Sequence, residues 1–422
     1  MPLEKCFPTG EQTKYAAERF GTPIFVYSQK ILEEQADKAL AFPNAYGLTV
    51  RYAMKANPNV NILRIFDRKE IKIDASSGYE VERAVLAGIN PKNILLTSQQ
   101  TPKNLDDMIF GGVKYNACSL HQLESFGKLF MGYNVSVRIN PGLGSGGTNR
   151  TNTGGPASSF GIWHGQIKDA LNIAKRYSLK IERVHTHIGS GSDSEVWKKV
   201  ALMSLDNVEK FMDAGHDIQT LNLGGGYKVG RMNNEKSTDL RECGKPVLDA
   251  FVNFYKQTGK KLKLEIEPGT FLVANAGALV SRAVDIKKTP EYNFIITDTG
   301  MTEVTRPSLY AAQHPIVVVP VGREEKNTKK YIVSGHCCES GDILTPAPGD
   351  SEALQPRELL EARIGDLVII GGAGAYCSSM STKNYNSYPE AAEVLIDNSQ
   401  TYHLIRRRQE INQIVENEIK VF

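Results

Sequence analysis

Two rhythms of apolar residues run through the first part of the chain. Short runs that are β-branched or aliphatic at nearly every position alternate with longer stretches of helical period. The short runs are Thr49–Met54, Ile71–Ala75, Asn93–Leu96, Lys114–Cys118, Val135–Ile139, Ile181–Thr186, Thr220–Leu223 and Leu262–Ile266. Runs without polar alternation are expected of parallel strands buried on both faces. Segments such as Val60–Lys69, Tyr79–Ala87, Leu120–Phe130 and Glu195–Ala214 read as the crossover helices. Eight such units predict a (β/α)8 TIM barrel. An open doubly wound sheet is the alternative, because strand order is not written in one sequence.

After Ala278 the pattern changes. Leu279–Ile286, Asn293–Thr297, Ile316–Pro320, Lys330–Ser334, Asp366–Ile370 and Ala392–Ile396 are short strands parted by Gly, Pro and charged turns, with few helical crossovers. A mainly antiparallel β domain is predicted, of sandwich or barrel-like form. The run Ile24–Tyr27, ahead of a helix starting near Ser28, is assigned to it. The predicted division is a barrel over residues 28–278, and a β domain from 279–422 with 1–27.

Composition adds mostly exclusions. Of 422 residues, 41% are hydrophobic and 23% charged, ordinary for a folded chain. The net charge of +3 gives no general polyanion surface, so nucleic acid is not an expected partner. No transmembrane span or secretory signal is read, and a cytoplasmic protein is expected. The six cysteines, Cys6, Cys118, Cys243, Cys337, Cys338 and Cys377, show no CxxC pair, and reduced thiols are expected. No metal site is predicted.

Barrel chemistry gathers where strands end at their C-termini. Lys55, Asp74, Ser76, Ser98, Ser119, Arg138 and Asn140 follow the first five predicted strands. His187 and Ser190 follow the sixth, Gly224, Gly225 and Gly226 the seventh, and Glu265 and Glu267 flank the end of the eighth. A lysine drawn into a barrel mouth would be partly desolvated, which frees its amine as a nucleophile; a lysine ending a strand is more often simply solvated. Three glycines let backbone amides approach a phosphate, or make a tight turn. Glu267, in EIEPG, could pair with a protonated pyridine nitrogen, or be a plain salt-bridge carboxylate. His187 could stack on a flat cofactor, or be a buried, hydrogen-bonded histidine. In SGHCCESGD a thiol beside a glutamate suits a proton donor next to an amine anchor, although buried thiols are commoner. Residues 141–161, rich in Gly, Asn, Thr and Ser, read as a surface insertion or as a lid.

Together YAMKAN, HTHIGSG, LNLGGGY, EIEPG, TRPSLY, CCESGD and GAGAY with NYNSYP resemble, in order, the fold-type III pyridoxal-phosphate decarboxylases. The resemblance implies an alanine-racemase-like barrel, pyridoxal 5'-phosphate as cofactor and a homodimer with shared active sites. Lys55 would hold the cofactor and His187 would stack on it. Glu267 would face its ring nitrogen. Asp74, Ser190, Gly224, Gly225, Gly226, Gly269 and Tyr376 would complete the cofactor site. Arg306 and Tyr310 would bind a substrate carboxylate. Cys338 would donate a proton and Glu339 anchor an ammonium, both from the neighbouring subunit.

The likeness is strongest to members that convert meso-2,6-diaminopimelate to L-lysine. Other amino acids remain open: D-lysine, D-ornithine, L-ornithine or a carboxylated polyamine. A catalytically inactive, partner-binding relative is the reading outside enzymes. One departure stands out. The family follows EPG with arginine, and this chain has Thr270 at that substrate-binding position. A replacement cation is therefore expected, with Arg150 and Lys383 the candidates.

Overall fold

The computed structural model describes residues 7–145, 152–189 and 193–422. The chain forms two compact units. One comprises Glu33–Lys228 and Ser237–Leu272; the other takes in residues up to Leu32, Val229–Lys236 and Val273–Phe422. The first strand, β1 (Ile24–Ser28), belongs to the latter.

The first unit is a closed barrel. Its strands are β2 (Leu48–Ala53), β3 (Lys72–Ala75), β4 (Ile94–Leu96), β5 (Lys114–Ala117) and β6 (Asn134–Asn140), with the short β7 (Ile162–Trp163) beside β6. β8 (Lys180–His185), β9 (Thr220–Asn222) and β10 (Lys263–Ile266) complete it. Neighbours run β5–β4–β3–β2–β10–β9–β8–β6, all parallel, and β6 returns to β5. That return excludes the open doubly wound sheet. Each predicted barrel strand lies within one residue of its observed ends, because each is a short apolar run bounded by turns.

Successive strand residues point to opposite faces, so residues two apart share one. Arg51, Arg183 and Glu265 form one buried layer. The Glu265 carboxylate accepts from Arg51 at 3.1 and 3.3 Å and approaches Arg183 Nε at 2.9 Å. Burial opposes ionisation of Glu265, but Arg51 and Arg183 outweigh it and hold the carboxyl below its usual range. Arg51 also donates to the carbonyls of Ile73 and Asn93, and Arg183 to the Ser136 hydroxyl. Few donors are wasted, as a buried charge cluster requires.

The second unit is built on β11 (Gly277–Lys288), β12 (Asn293–Thr297), β13 (Ile316–Val319) and β14 (Thr328–Ser334). β15 (Pro346–Ala347), β16 (Asp350–Leu354), β17 (Arg357–Leu360), β18 (Leu367–Ile370), β19 (Ala392–Ile396) and β20 (Tyr402–Arg406) follow. The path is β17–β14–β12–β11–β1–β19–β20, with β18 between β11 and β13 and a separate β15–β16 hairpin. Only the β1–β19 and β12–β14 pairs are parallel, so the sheet is mainly antiparallel. Strand β1 pairs with β11 and β19 in this sheet. Ile24, Val26, Ala278, Val280, Leu367, Ile369, Val394 and Ile396 form its core with Ala16 and Ala17. Those alanines lie on a helix, Gly10–Phe20, absent from the sequence reading and started by a Thr9–Gln12 capping box. β15, β16, β17 and β20 were also not anticipated. β15 is only two residues long and β16, β17 and β20 are little buried, so they exist by pairing rather than by an apolar pattern. No helix among the described residues is long and apolar enough to cross a membrane.

The charge layer makes a measurable prediction. Glu265→Gln leaves two buried guanidinium groups without a counter-charge and should cost about 3–5 kcal/mol in chemical denaturation. Replacing all three residues with apolar ones of similar size should cost less. Equal losses would mean that burial of charge is not the governing cost.

Candidate active site

The barrel alternation continues toward the C-terminal ends of the strands. Two residues beyond Glu265 and Arg183 stand Glu267 and His185, and two beyond His185 stands His187. His185 Nε2 lies 3.2 Å from Glu267 Oε2, a close approach without aligned hydrogen-bond geometry. His185 Nδ1 lies 2.6 Å from the Asn116 amide nitrogen, so Nδ1 accepts and the Nε2 proton faces Glu267. Asn222 donates to Glu267 at 2.6 Å. Burial opposes ionisation of Glu267, yet His185, His187 and Asn222 overcome it and hold the carboxyl well below the usual carboxylate range.

Asp74, at the end of β3, is the opposite case. Burial and then the Glu267 charge push its carboxyl well above the usual range, against a smaller opposing pull from Lys55. Its Oδ1 is buried without a partner. Two nearby carboxyls are thus driven apart, Glu267 toward the ionised form and Asp74 toward the protonated one, an arrangement of the kind that separates acid and base roles.

Lys55 lies on a single turn, Met54–Ala56, directly after β2. Tyr52 donates to the Asn57 carbonyl at 2.9 Å, and the Ala53 amide donates to the Pro268 carbonyl at 3.3 Å. The YAMKAN and EPG turns are therefore tied together, and a Cβ on Gly269 would press on Ala53 at 3.3 Å. Of the two readings of Lys55, desolvated or simply solvated, the structure agrees with the second. Its side chain is exposed, because the turn carries it past the strand end. Its charge still acts on Asp74, Glu80 and His187.

His187 is half-buried and accepts from the Gly225 amide at Nδ1, 3.2 Å away. Burial, then Arg138 and Lys55, hold its ring well below the usual histidine range, so it is neutral. The glycine run has a structural cause that sequence reasoning missed. A Cβ on Gly224 would lie 2.7 Å from His187, and one on Gly225 would lie 2.1 Å from the Glu267 carbonyl. Gly224 and Gly226 also have φ of +70° and +105°. Ser190, Arg150 and residues 146–151 of the glycine-rich loop lie outside the described residues.

Arg138 was noted only as a strand-end residue. It is buried, packs 4.9 Å from the Phe160 ring and has an Nη2 without a partner. The period of two places it in line with Ser136 on β6, a signal present in the sequence. His185, Asn222 and Asn116 were missed as the residues that set Glu267, since nothing in a sequence pairs distant strands. A cavity of about 400 Å³ lined by Lys114, Tyr133, Asn134 and Glu182 lies at the opposite ends of the strands from Glu267.

The other unit positions its own set. Arg306 and Tyr310 bound a short helix, Arg306–Tyr310. Tyr376 has φ of +55°, in the left-handed region, and nearby a Cβ on Gly374 would meet the Val273 carbonyl at 1.8 Å. Asp342 organises CCESGD. Its carboxylate accepts from the amides of Met301 at 2.7 Å and Cys337 at 2.9 Å. Burial and then Asp342 push the Cys337 thiol up to about 12. Cys338 and Glu339 are exposed, with the Cys338 amide donating to Asn386 and Glu339 accepting from Gly341. Lys383 is paired with Glu390, which removes it as the expected free cation.

Residues 29–274 match the family model described as the pyridoxal-binding domain of pyridoxal-dependent decarboxylases. The chain belongs to this family. It is 37% identical over 413 residues to diaminopimelate decarboxylase of Buchnera aphidicola subsp. Schizaphis graminum, covering 96% of each. A crystal structure of diaminopimelate decarboxylase superposes with a TM-score of 0.90 at 34% identity, covering 98% of this chain and 97% of that one. The Helicobacter pylori diaminopimelate decarboxylase complexed with L-lysine gives 0.85 at 27% identity, covering 96% and 98%.

The barrel residues fit pyridoxal phosphate. An ionised carboxylate suits a protonated pyridine nitrogen, an exposed amine suits an aldehyde, and the orphaned Arg138 Nη2 and Asp74 Oδ1 are polar atoms awaiting a polar group.

The split carboxyls have opposite signs in linkage. The depressed Glu267 carboxyl contributes stability that is present above its unfolded value, about 4.3, and lost as pH falls through its folded value. The raised Asp74 carboxyl loses stability as pH rises from about 3.9 to its folded value. Asp74→Asn should therefore be at least as stable as the parent at pH about 7, whereas Glu267→Gln should lose about 1–3 kcal/mol there. Denaturation midpoints across pH measure both. Equal destabilisation would contradict the assignment.

Proposed function

We propose that this chain decarboxylates meso-2,6-diaminopimelate at its D centre, releasing carbon dioxide and L-lysine as the last step of lysine biosynthesis. Glu267, held ionised and acting with Lys55 on the same Asp74 and His187, in a chain of this family, carries the reading. The names of its relatives and the L-lysine bound by one of them support the substrate.

Pyridoxal phosphate, when bound, supplies an electron sink for the carbon that loses carbon dioxide. Lys55 would hold it through its amine, and Glu267 keeps a proton on its ring nitrogen. His187, neutral and half-buried, offers a ring to stack upon. Asp74, Ser190, Gly224, Gly225, Gly226, Gly269 and Tyr376 complete its surroundings. Arg306, Tyr310 and Thr270 bind the substrate, and Glu339 holds its distal ammonium. Cys338 delivers the proton that replaces carbon dioxide. Its exposure supports this role, while Cys337 is tied down beside Asp342. In this reading the chain is a homodimer, each copy lending Cys338 and Glu339 to the other.

Carbon dioxide release should occur with meso-diaminopimelate and be weak with D-lysine, D-ornithine and L-ornithine. No release from the first would refute the substrate. The parent should carry the absorbance of covalently held pyridoxal phosphate, and Lys55→Ala should lose it.

Cys338→Ala should keep the cofactor and lose about 10²–10⁴-fold in turnover, the scale of a general acid, with Cys337→Ala much milder. Equal losses would remove the distinction between the two thiols.

A further inference from the structure

Arg231 lies in Val229–Lys236, in the loop that follows Gly224–Gly226, and this segment groups with the β-rich unit. Its Nε donates to the Gly372 carbonyl at 3.0 Å. Gly372 makes room for it: φ is +62°, and a Cβ there would lie 2.9 Å from Arg231 Cγ. The residue as a whole is half-buried, but its Nη2 is sealed from solvent and has no hydrogen-bond partner. Burial, then the charge of Arg306, push this guanidinium down to about 9.

Arg306 is held from the same place. Its Nη1 donates to His314 Nε2 at 2.9 Å, and His314 Nδ1 donates to the Gly371 carbonyl at 2.8 Å. Burial and the two arginines keep His314 neutral, as an acceptor for Arg306 must be. Consecutive carbonyls thus orient two cations, one directly and one through a histidine. Neither arginine makes an ion pair among the described residues. The nearby carboxylate, Glu235, is spent on the amides of Arg231 and Met232. Two like charges held in a poorly solvated place, with a donor unspent, are arranged for an anion.

We propose that Arg231 is a substrate-recognition residue: with Arg306 it binds the carboxylate that the substrate retains, supplying the cation that Thr270 does not. This rests on the substrate reading above. The shared ligand chemistry is an oxyanion, and the cofactor phosphate is its other source. A carboxylate accepts two parallel donors from a guanidinium, which lysine cannot supply in that geometry.

The test uses the holoenzyme with Arg231→Gln and Arg231→Lys. L-Lysine keeps the carboxylate in question, and cadaverine lacks it. Arg231→Gln should retain pyridoxal phosphate absorbance on dialysis and melt near the parent, since no ion pair is lost. Its inhibition constant for L-lysine should rise about 10- to 100-fold, the loss of one charge-assisted hydrogen bond, with cadaverine unchanged. KM for meso-diaminopimelate should rise more than kcat falls. Arg231→Lys should recover part of the loss, and it carries the test if the glutamine variant does not fold. Equal weakening toward L-lysine and cadaverine, or none, overturns the proposal. Loss of cofactor with the L-lysine to cadaverine ratio preserved also overturns it, assigning the anion to the phosphate. If the parent releases no carbon dioxide from meso-diaminopimelate, the substrate reading fails, while the inhibitor comparison still decides Arg231.

Discussion

A buried carboxylate must be compensated, and strand β10 buries two of them two residues apart. Glu265 is neutralised by Arg51 and Arg183, groups that do no chemistry. Glu267 is held ionised by His185, His187 and Asn222. The first layer lets β2, β8 and β10 carry charge inside a closed barrel. The second turns that charge into an electrostatic site. The alternation that places one layer above the other is the ordinary two-residue period of a strand. Displacing the register of β10 by one residue would send both carboxylates to the other face.

The state of Asp74 follows from the same constraint. Two carboxyls near one another in a poorly solvated place oppose each other's ionisation, and the better-compensated one ionises more readily. Glu267 has two histidines and an amide; Asp74 keeps an unpaired oxygen. Cofactor chemistry needs this inequality, since a ring nitrogen stays protonated only opposite a true anion. The glycines around it serve the same end, allowing His187 and the Glu267 carbonyl to approach the β9 turn closely.

In the β-rich unit the organising groups are buried acceptors. Asp342 gathers the amides of Met301 and Cys337, and leaves neighbouring Cys338 exposed. The Gly371 and Gly372 carbonyls aim Arg306 and Arg231. Each acceptor lies far in sequence from at least one of the groups it orders, and its effect is to fix side chains whose own charge would otherwise drive them toward water.

Much of this was legible from the chain alone. Barrel strands buried on both faces are continuous apolar runs, so their positions and the polar residues ending them follow from local pattern. Lys55, His187 and Glu267 could be named for that reason. Strands β16 and β20 could not, because little-buried strands are specified by their partners. The same limit governed the site. A sequence shows that Glu267 and Asp74 are acids; only the folded barrel decides which ionises more readily, through His185 and Asn222 brought from other strands. It shows that Thr270 is not arginine, and suggested Arg150 and Lys383 instead. Tertiary structure pairs Lys383 with Glu390 and leaves Arg231, unremarkable in a polar loop, half-buried near Arg306 with no ion pair among the described residues. Element type is a property of neighbouring residues, whereas the charge and aim of a side chain depend on solvation and contacts that only the fold creates.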